Sequence, residues 1–358
     1  MPKGTIIRIM NNPDFETQDS KKLPELRRAP IGSSRHTLVK AEPLKADNPL
    51  PLLIYPGLTG VNLVEWAKLN RDFLETELLK HGAILFRNFG LVTVEDFEKA
   101  LHAITDDLLE YRERSSPRSA VGDKIYTSTD YPATQNIFPH NEHSYSRRFP
   151  LKLFFFCLLP AEVGGETPIA DCRKILRRLS PTTKQRFIDK KYMYVRNFND
   201  GFGLPWQTVF QTEDRAKVEQ YCRDFDIGVE WKEGNRLRTR QIRPPIATHP
   251  KTRESVWFNH VAFFHISTLE PAMRDELLAE FKEEDLPNNT YYGDGSGIAP
   301  SVLDELRSAY KQELVSFQWR QGDLLMIDNL LTAHSRSAYT GDRKVLVAMS
   351  DPYNREDI

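Results

Sequence analysis

Few cysteines, no long apolar run and no excess of either charge: each of these absences narrows what the chain can be. Cys157, Cys172 and Cys222 are the only cysteines. Their odd number and the lack of any CxxC spacing exclude a disulfide framework or a zinc ribbon. The expected compartment is therefore a reducing cytoplasm. No stretch approaches the roughly 18 apolar residues of a membrane span, and Met1–Asn12 lacks the apolar centre of a signal peptide, so no membrane association is expected. Lys and Arg number 49 against 50 Asp and Glu, for a net charge of -1. That balance removes the electrostatic case for binding nucleic acid or an anionic surface. Internal repeats and low-complexity linkers are also missing. What remains is a 358-residue chain, 40% hydrophobic, with enough apolar material for one sizeable core. The expected partner is a small or medium-sized molecule, and oligomeric state is left open.

Residues 1–50 are rich in Lys, Arg, Pro and Ser and show little periodicity. They read as an extended N-terminal arm preceding a single domain over 51–358. In that domain Leu52–Tyr55 is a short apolar strand. Trp66, Leu69, Phe73, Leu74 and Leu78 keep helical spacing up to a stop at His81-Gly82. Ala83–Phe86 reads as a buried strand, and Thr93 with Asp96 as the capping box of a helix carrying Phe97, Leu101 and Leu108-Leu109. Leu153–Leu158, Thr167–Ala170, Tyr192–Val195, Ser255–Phe258, Val315–Trp319, Leu324–Ile327 and Val345–Met349 read as strands. Helices begin after Asp171 and at Ser180-Pro181, Glu270-Pro271 and Pro300-Ser301. The fold class expected is mainly β with flanking helices, its antiparallel strands forming a double-sheet barrel of jelly-roll type.

His140-Asn141-Glu142 places an imidazole and a carboxylate two residues apart. On a strand these two side chains share a face. Two imidazoles and one carboxylate form the facial set of Fe(II) oxygenases, which leaves positions open on the metal. Nine histidines and 50 acidic residues in 358 supply about one such pair by chance, so the pair alone is as readily a solvated strand. His334 follows an apolar strand, Leu324–Ile327, and is suited to be a third ligand, although a lone histidine at a strand end is more often structural. Thr167 follows the turn at Gly164-Gly165, and Arg343 follows Gly341-Asp342. A dicarboxylate co-substrate needs a buried cation for its distal carboxylate, and a guanidinium matches both oxygens. Each residue alone has a plainer reading: Thr167 as a strand residue, Arg343 as a solvated turn residue.

Taken together, Phe138-Pro139-His140-Asn141-Glu142-His143-Ser144-Tyr145, Gly164-Gly165-Glu166-Thr167-Pro168-Ile169-Ala170-Asp171, and the run from Asp328-Asn329 through His334-Ser335-Arg336 to Gly341-Asp342-Arg343 resemble the taurine dioxygenase and clavaminate synthase-like superfamily. Gly82–Phe89 and Val256–Asn259 extend the likeness, which covers about residues 50–352. The resemblance implies a double-stranded β-helix core, with Fe(II) held by His140, Glu142 and His334. It also implies 2-oxoglutarate and O₂ as co-substrates, and Thr167 and Arg343 on the distal carboxylate. Many relatives carry a second arginine four positions later, where this chain has Val347; Arg336 is the remaining rival. Glu142, where others have Asp, resembles the amino-acid hydroxylase branch of peptide natural-product pathways. A carboxylate at that position argues against a halogenase.

The branch implies hydroxylation of an amino acid or amino-acid derivative, free or presented by a carrier protein. Gln135, Asn136, Tyr145 and Asn259 are the expected substrate contacts, and Asp328 is expected to orient a ligand. Arg147 and Arg148 read as a polar strand end, Phe154–Phe156 as core, and His260 and His265 as no part of the metal set. Two other classes fit part of the pattern. A zinc-dependent hydrolase would use the same His/Glu/His set, and a metal-free jelly-roll module would use none of it; neither accounts for Thr167 and Arg343.

Overall fold

The computed structural model describes residues 38–110, 119–128, 131–198 and 203–357. Among these, the apolar runs Ala83–Phe86, Leu324–Asp328 and Arg148–Leu159 lie side by side in the middle of an eight-stranded sheet. Asn48–Pro56 and Val39–Lys45 extend it on one side, and Lys344–Asn354, Ile125–Thr127 and Ala120–Gly122 on the other. All pairings are antiparallel except that of Asn48–Pro56 with Ala83–Phe86. The sheet therefore begins before residue 51: residues 39–45 and 48–50, read from sequence as part of an arm, lie in paired strands. The rest of that arm lies outside the described residues.

The central strands are apolar on both faces because both faces are covered. Outward residues Ile84, Phe86, Phe154, Phe156 and Met326 pack against the helices Leu63–Leu69, Arg71–His81 and Val94–Ile104. Inward residues Leu85, Leu153, Phe155, Leu325 and Val347 join Ile169, Val315, Phe317 and Trp319 in a second core. A three-stranded sheet, Ile137–His140, Thr332–Arg336 and Ile169–Asp171, supplies Ile169 to that core. A third core lies among helices Cys172–Arg178, Pro181–Lys190 and Pro300–Glu313. Gly228–Trp231, Leu237–Arg243, Tyr192–Phe198 and Asn288–Tyr292 form a separate four-stranded sheet. The architecture is the jelly-roll class expected. Its sheets remain separate hydrogen-bonded units rather than one closed barrel.

Three local readings change. The helix expected through Trp66–Leu78 is two, because Asn70 ends one and begins the next: its backbone N–H donates to Ala67 O and its side chain to Trp66 O. The helix from Thr93 closes its capping box but stops at Ile104, short of Leu108-Leu109. Val315–Trp319 alternates buried and exposed as a strand would, yet only Val315 is bridged, to Ile169.

Candidate metal and co-substrate site

The sheet register brings the two histidines together. His140 is the last residue of Ile137–His140 and His334 lies inside Thr332–Arg336, and they are direct cross-strand partners with rings 4.4 Å apart. The strand ends at His140, so Glu142 does not share a face by strand alternation as the spacing suggested; it sits in a turn. That turn includes His143 at φ 55. It is held by Asn329, which is fully buried. Asn329 Oδ1 accepts from Glu142 N at 2.8 Å, while its amide donates to Glu142 O at 2.9 Å and Pro150 O at 2.8 Å. Asn141 closes the arrangement by donating to Asn329 O at 2.7 Å. Asp328, expected to orient a ligand, turns elsewhere: its carboxylate accepts from Leu330 N and Leu331 N and pairs with His249. Its neighbour Asn329 has the positioning contacts, and strand alternation gave no signal for which of the two would point inward.

One nitrogen or oxygen from each of His140, Glu142 and His334 falls within 4.8 Å of the other two. His334 Nε2 lies 3.8 Å from Glu142 Oε2, too far for a hydrogen bond and close enough for an ion to bridge. His140 Nδ1 donates to Phe138 O at 2.9 Å. A carbonyl can only accept, so Nε2 keeps its lone pair for a metal. Phe263 stacks on His140 at 4.4 Å, and Phe155 lies 5.0 Å from His334. A neutral imidazole pair plus a buried carboxylate suits a divalent iron.

Two cavities meet at His140. The smaller is lined by His140, His334, Thr167, Arg343, Phe155 and Val347, among others. Arg343 is largely buried. It donates from Nε to Gly165 O at 2.7 Å and from one terminal nitrogen to Ser128 Oγ at 3.3 Å. Among the described residues no carboxylate pairs with it, and burial, with Arg336 nearby, pushes its pKa down to about 10. Gly164 and Gly165 both have positive φ, and a Cβ on Gly165 would stand 2.9 Å from Arg343 Cδ. The glycines thus let the chain pass against the arginine. Thr167 Oγ1 accepts from Trp319 Nε1 at 3.1 Å. Arg336 also lines this cavity, but its guanidinium is engaged by the carbonyls of Tyr131, Pro132 and Gln135.

The larger cavity, about 350 Å³, is lined by His140 and Glu142 at one end and by Tyr131, Gln135, Asn136, His260, Phe263 and Glu270 among its other residues. Gln135 and Asn136, expected as substrate contacts, thus lie in its wall. Tyr145 and Asn259 are not among its lining. Tyr145 is buried in the core against His260, Tyr194 and Phe264. Asn259 secures a loop by donating to Pro245 O and accepting from Val261 N. Arg147 reaches the surface partners Glu356 and Asp224 O. His260 and His265 line the cavity and lie outside the three-residue cluster. Burial, then the neighbouring His140, holds His260 well below its ordinary range. Phe263, Glu270 and Tyr131 were not legible as lining residues, since their segments carry no motif.

No helix among the described residues is long and apolar enough to cross a membrane. The model of the taurine catabolism dioxygenase TauD, TfdA family matches residues 44–349. The chain is 38% identical over 275 residues to the dapdiamide synthesis protein DdaC of Enterobacter agglomerans, covering 77% of this chain and 84% of that one. It is 28% identical over 330 residues to a clavaminate synthase-like protein of Arabidopsis thaliana, covering 89% and 97%. In fold it is similar to PvcB, an Fe, alpha-ketoglutarate dependent oxygenase from an isonitrile synthetic pathway. That match has a TM-score of 0.53 at 16% identity and covers 90% of this chain and 93% of that one. The chain belongs to the TauD, TfdA family of dioxygenases that depend on iron and 2-oxoglutarate.

Proposed function

We propose that His140, Glu142 and His334 hold the iron, that Arg343 and Thr167 hold the distal carboxylate of 2-oxoglutarate, and that the reaction hydroxylates an amino-acid-derived substrate in the larger cavity. The observation that carries this reading is Arg343. A largely buried guanidinium with no ion-pair partner among the described residues is costly, and here it lines a cavity that the two imidazoles also line. A dicarboxylate spanning that cavity supplies the missing anion. Thr167 Oγ1 already accepts from Trp319, so its own proton is available to a carboxylate oxygen. When bound, iron with 2-oxoglutarate and O₂ supplies an oxidant strong enough for an unactivated C–H bond. The chain's part is positional. The Phe138 carbonyl fixes the tautomer of His140, Asn329 fixes the Glu142 turn, and Phe155, Val345 and Val347 keep water from the co-substrate.

The substrate class is argued from charge. Apart from Glu142, the only formal charge on the described lining of the larger cavity is Glu270, exposed at residue 270. Lys and Arg are missing from that described lining, and burial, with Arg307 nearby, holds His265 near a pKa of about 4, hence neutral at pH 7. A free carboxylate or sulfonate would find no cation there, whereas an amine would meet Glu270. This supports an amino-acid derivative whose carboxyl group is masked, as it would be when presented by a carrier protein, and the similarity to a dapdiamide synthesis protein supports a biosynthetic substrate. The three buried free thiols support a reducing, cytoplasmic location.

Anaerobic addition of Fe(II) and then 2-oxoglutarate tests the core of the reading. A weak visible band at roughly 500 nm should appear, and Arg343→Ala should weaken 2-oxoglutarate far more than iron. Equal loss of both would make Arg343 structural. No band, with retained Zn(II) and hydrolysis, would return the site to the hydrolase class.

A further inference from the structure

Arg336 stands two residues beyond His334 on the same strand, nine-tenths buried, and touches both cavities by different means. Arg336 lines the co-substrate cavity that Arg343 also lines. Its terminal nitrogens donate to Tyr131 O at 2.9 Å, Pro132 O at 2.6 Å and Gln135 O at 2.9 Å. Those carbonyls belong to the segment that also carries Tyr131, Gln135 and Asn136 into the wall of the larger cavity. Among the described residues Arg336 Nε has no hydrogen-bond partner.

A second connection runs through Tyr339. Its ring lies 5.2 Å from the Arg336 guanidinium and 5.5 Å from that of Arg343. Its backbone N–H donates to Ala133 O at 2.8 Å, and Ala338 N donates to Asn136 Oδ1 at 2.8 Å. The same stretch pairs with Val163–Gly164, next to the Gly165 carbonyl that Arg343 holds. The two guanidinium groups, with one aromatic ring between them, repel each other, and the nearby Glu166 offsets that only in part; an arriving dicarboxylate relieves that repulsion.

We propose that Arg336 is a positioning residue that couples the two cavities: dicarboxylate bound at Arg343 tightens the Arg336 clamp on residues 131–136 and so completes the substrate wall. The inference rests on 2-oxoglutarate binding at Arg343, and it assigns Arg336 to the loop rather than to the co-substrate. Co-substrate occupancy then precedes a competent substrate site, and by linkage substrate must in turn tighten co-substrate.

Hydrogen–deuterium exchange with Mn(II) in place of iron tests this without turnover. In the native protein, saturating 2-oxoglutarate should slow exchange across 131–136 by about tenfold, a coupling of ordinary size. Arg336→Gln should exchange rapidly there with or without 2-oxoglutarate, while binding it within about threefold of the native affinity. Tyr339→Leu, which keeps the backbone bonds, should show a reduced response and serves if Arg336→Gln does not fold. The inference is overturned if 2-oxoglutarate leaves the native segment unchanged. It is equally overturned if Arg336→Gln loses 2-oxoglutarate as severely as Arg343→Ala, which would make Arg336 the carboxylate partner. A native protein that binds no 2-oxoglutarate in the presence of Mn(II) would overturn the co-substrate assignment itself, and the coupling with it.

Discussion

His265 illustrates how a single side chain sets the charge of the larger cavity. Its Nδ1 accepts from Ser267 N at 3.1 Å, capping the short helix Ile266–Thr268, so the neutral ring is the form the fold uses. Burial, followed by Arg307, lowers its pKa to about 4. In the unfolded chain a histidine titrates at roughly 6.5. Between those values the unfolded state binds the extra proton, so this residue's contribution is complete above about pH 6.5 and is lost as pH falls toward 4. Urea unfolding at pH 7 and pH 5 should show a clear loss of stability in the native protein. In His265→Asn, which retains a capping acceptor but cannot titrate, the loss should be smaller. It should not vanish, because His260 is depressed as well. Identical losses in the two proteins would mean that His265 titrates in the fold as in the unfolded chain, and the cavity would then carry a cation at pH 5.

At the level of elements, the site depends on a turn that no strand supports. Glu142 is carried past the end of Ile137–His140 and tied back to Asn329, which follows the strand Leu324–Asp328. Asn329→Ala removes three buried hydrogen bonds and leaves their backbone partners without them. It should cost about 3 kcal/mol or more of stability, and it should weaken Mn(II) by about 10- to 100-fold, the range for residues that orient ligands. Calorimetry and metal titration separate the two effects. A destabilised variant with native Mn(II) affinity would show that the Glu142 turn is held by something other than Asn329. The same elements show what the sequence made legible. Strands such as Leu153–Leu158 were plain because a strand covered on both faces must be apolar throughout. The caps at Thr93, Asp171 and Ser180 were plain because a local side chain satisfies a local N–H. His140, His334, Thr167 and Arg343 are named from motif and order; the strand register sets the two histidines side by side, and Thr167 and Arg343 reach the same cavity from outside those strands. Tyr145 and Asn259 were misassigned to substrate for the opposite reason. Whether a polar side chain faces a cavity or a core is decided by packing between distant segments, which spacing along the chain does not encode. The break at Asn70 was hidden because asparagine can cap either end of a helix, and here it does both.

For the whole molecule, the question is how strongly its parts are joined through the site. Sheet pairing sets His140 and His334 side by side, although nearly 200 residues separate them in the chain, and Arg343 and Thr167 close the same cavity from two further segments. Ligands that bind only this assembled arrangement must stabilise the entire unit by mass action, by about 2.7 kcal/mol at a concentration 100 times the dissociation constant. In a domain of this size that amounts to a rise of several degrees in Tm. The increments should come in order. Mn(II) alone should raise Tm modestly, and 2-oxoglutarate alone little, because its distal carboxylate has Arg343 but its keto-acid end has no metal. Both together should give more than the sum. Arg343→Ala should keep the Mn(II) increment and lose the one added by 2-oxoglutarate, whereas His334→Ala should lose both. Differential scanning fluorimetry on the full chain, with chelator as the reference, reads all five cases. If 2-oxoglutarate stabilises the Arg343→Ala protein as well as the native one, its carboxylate is held elsewhere, and the assignment of the smaller cavity fails.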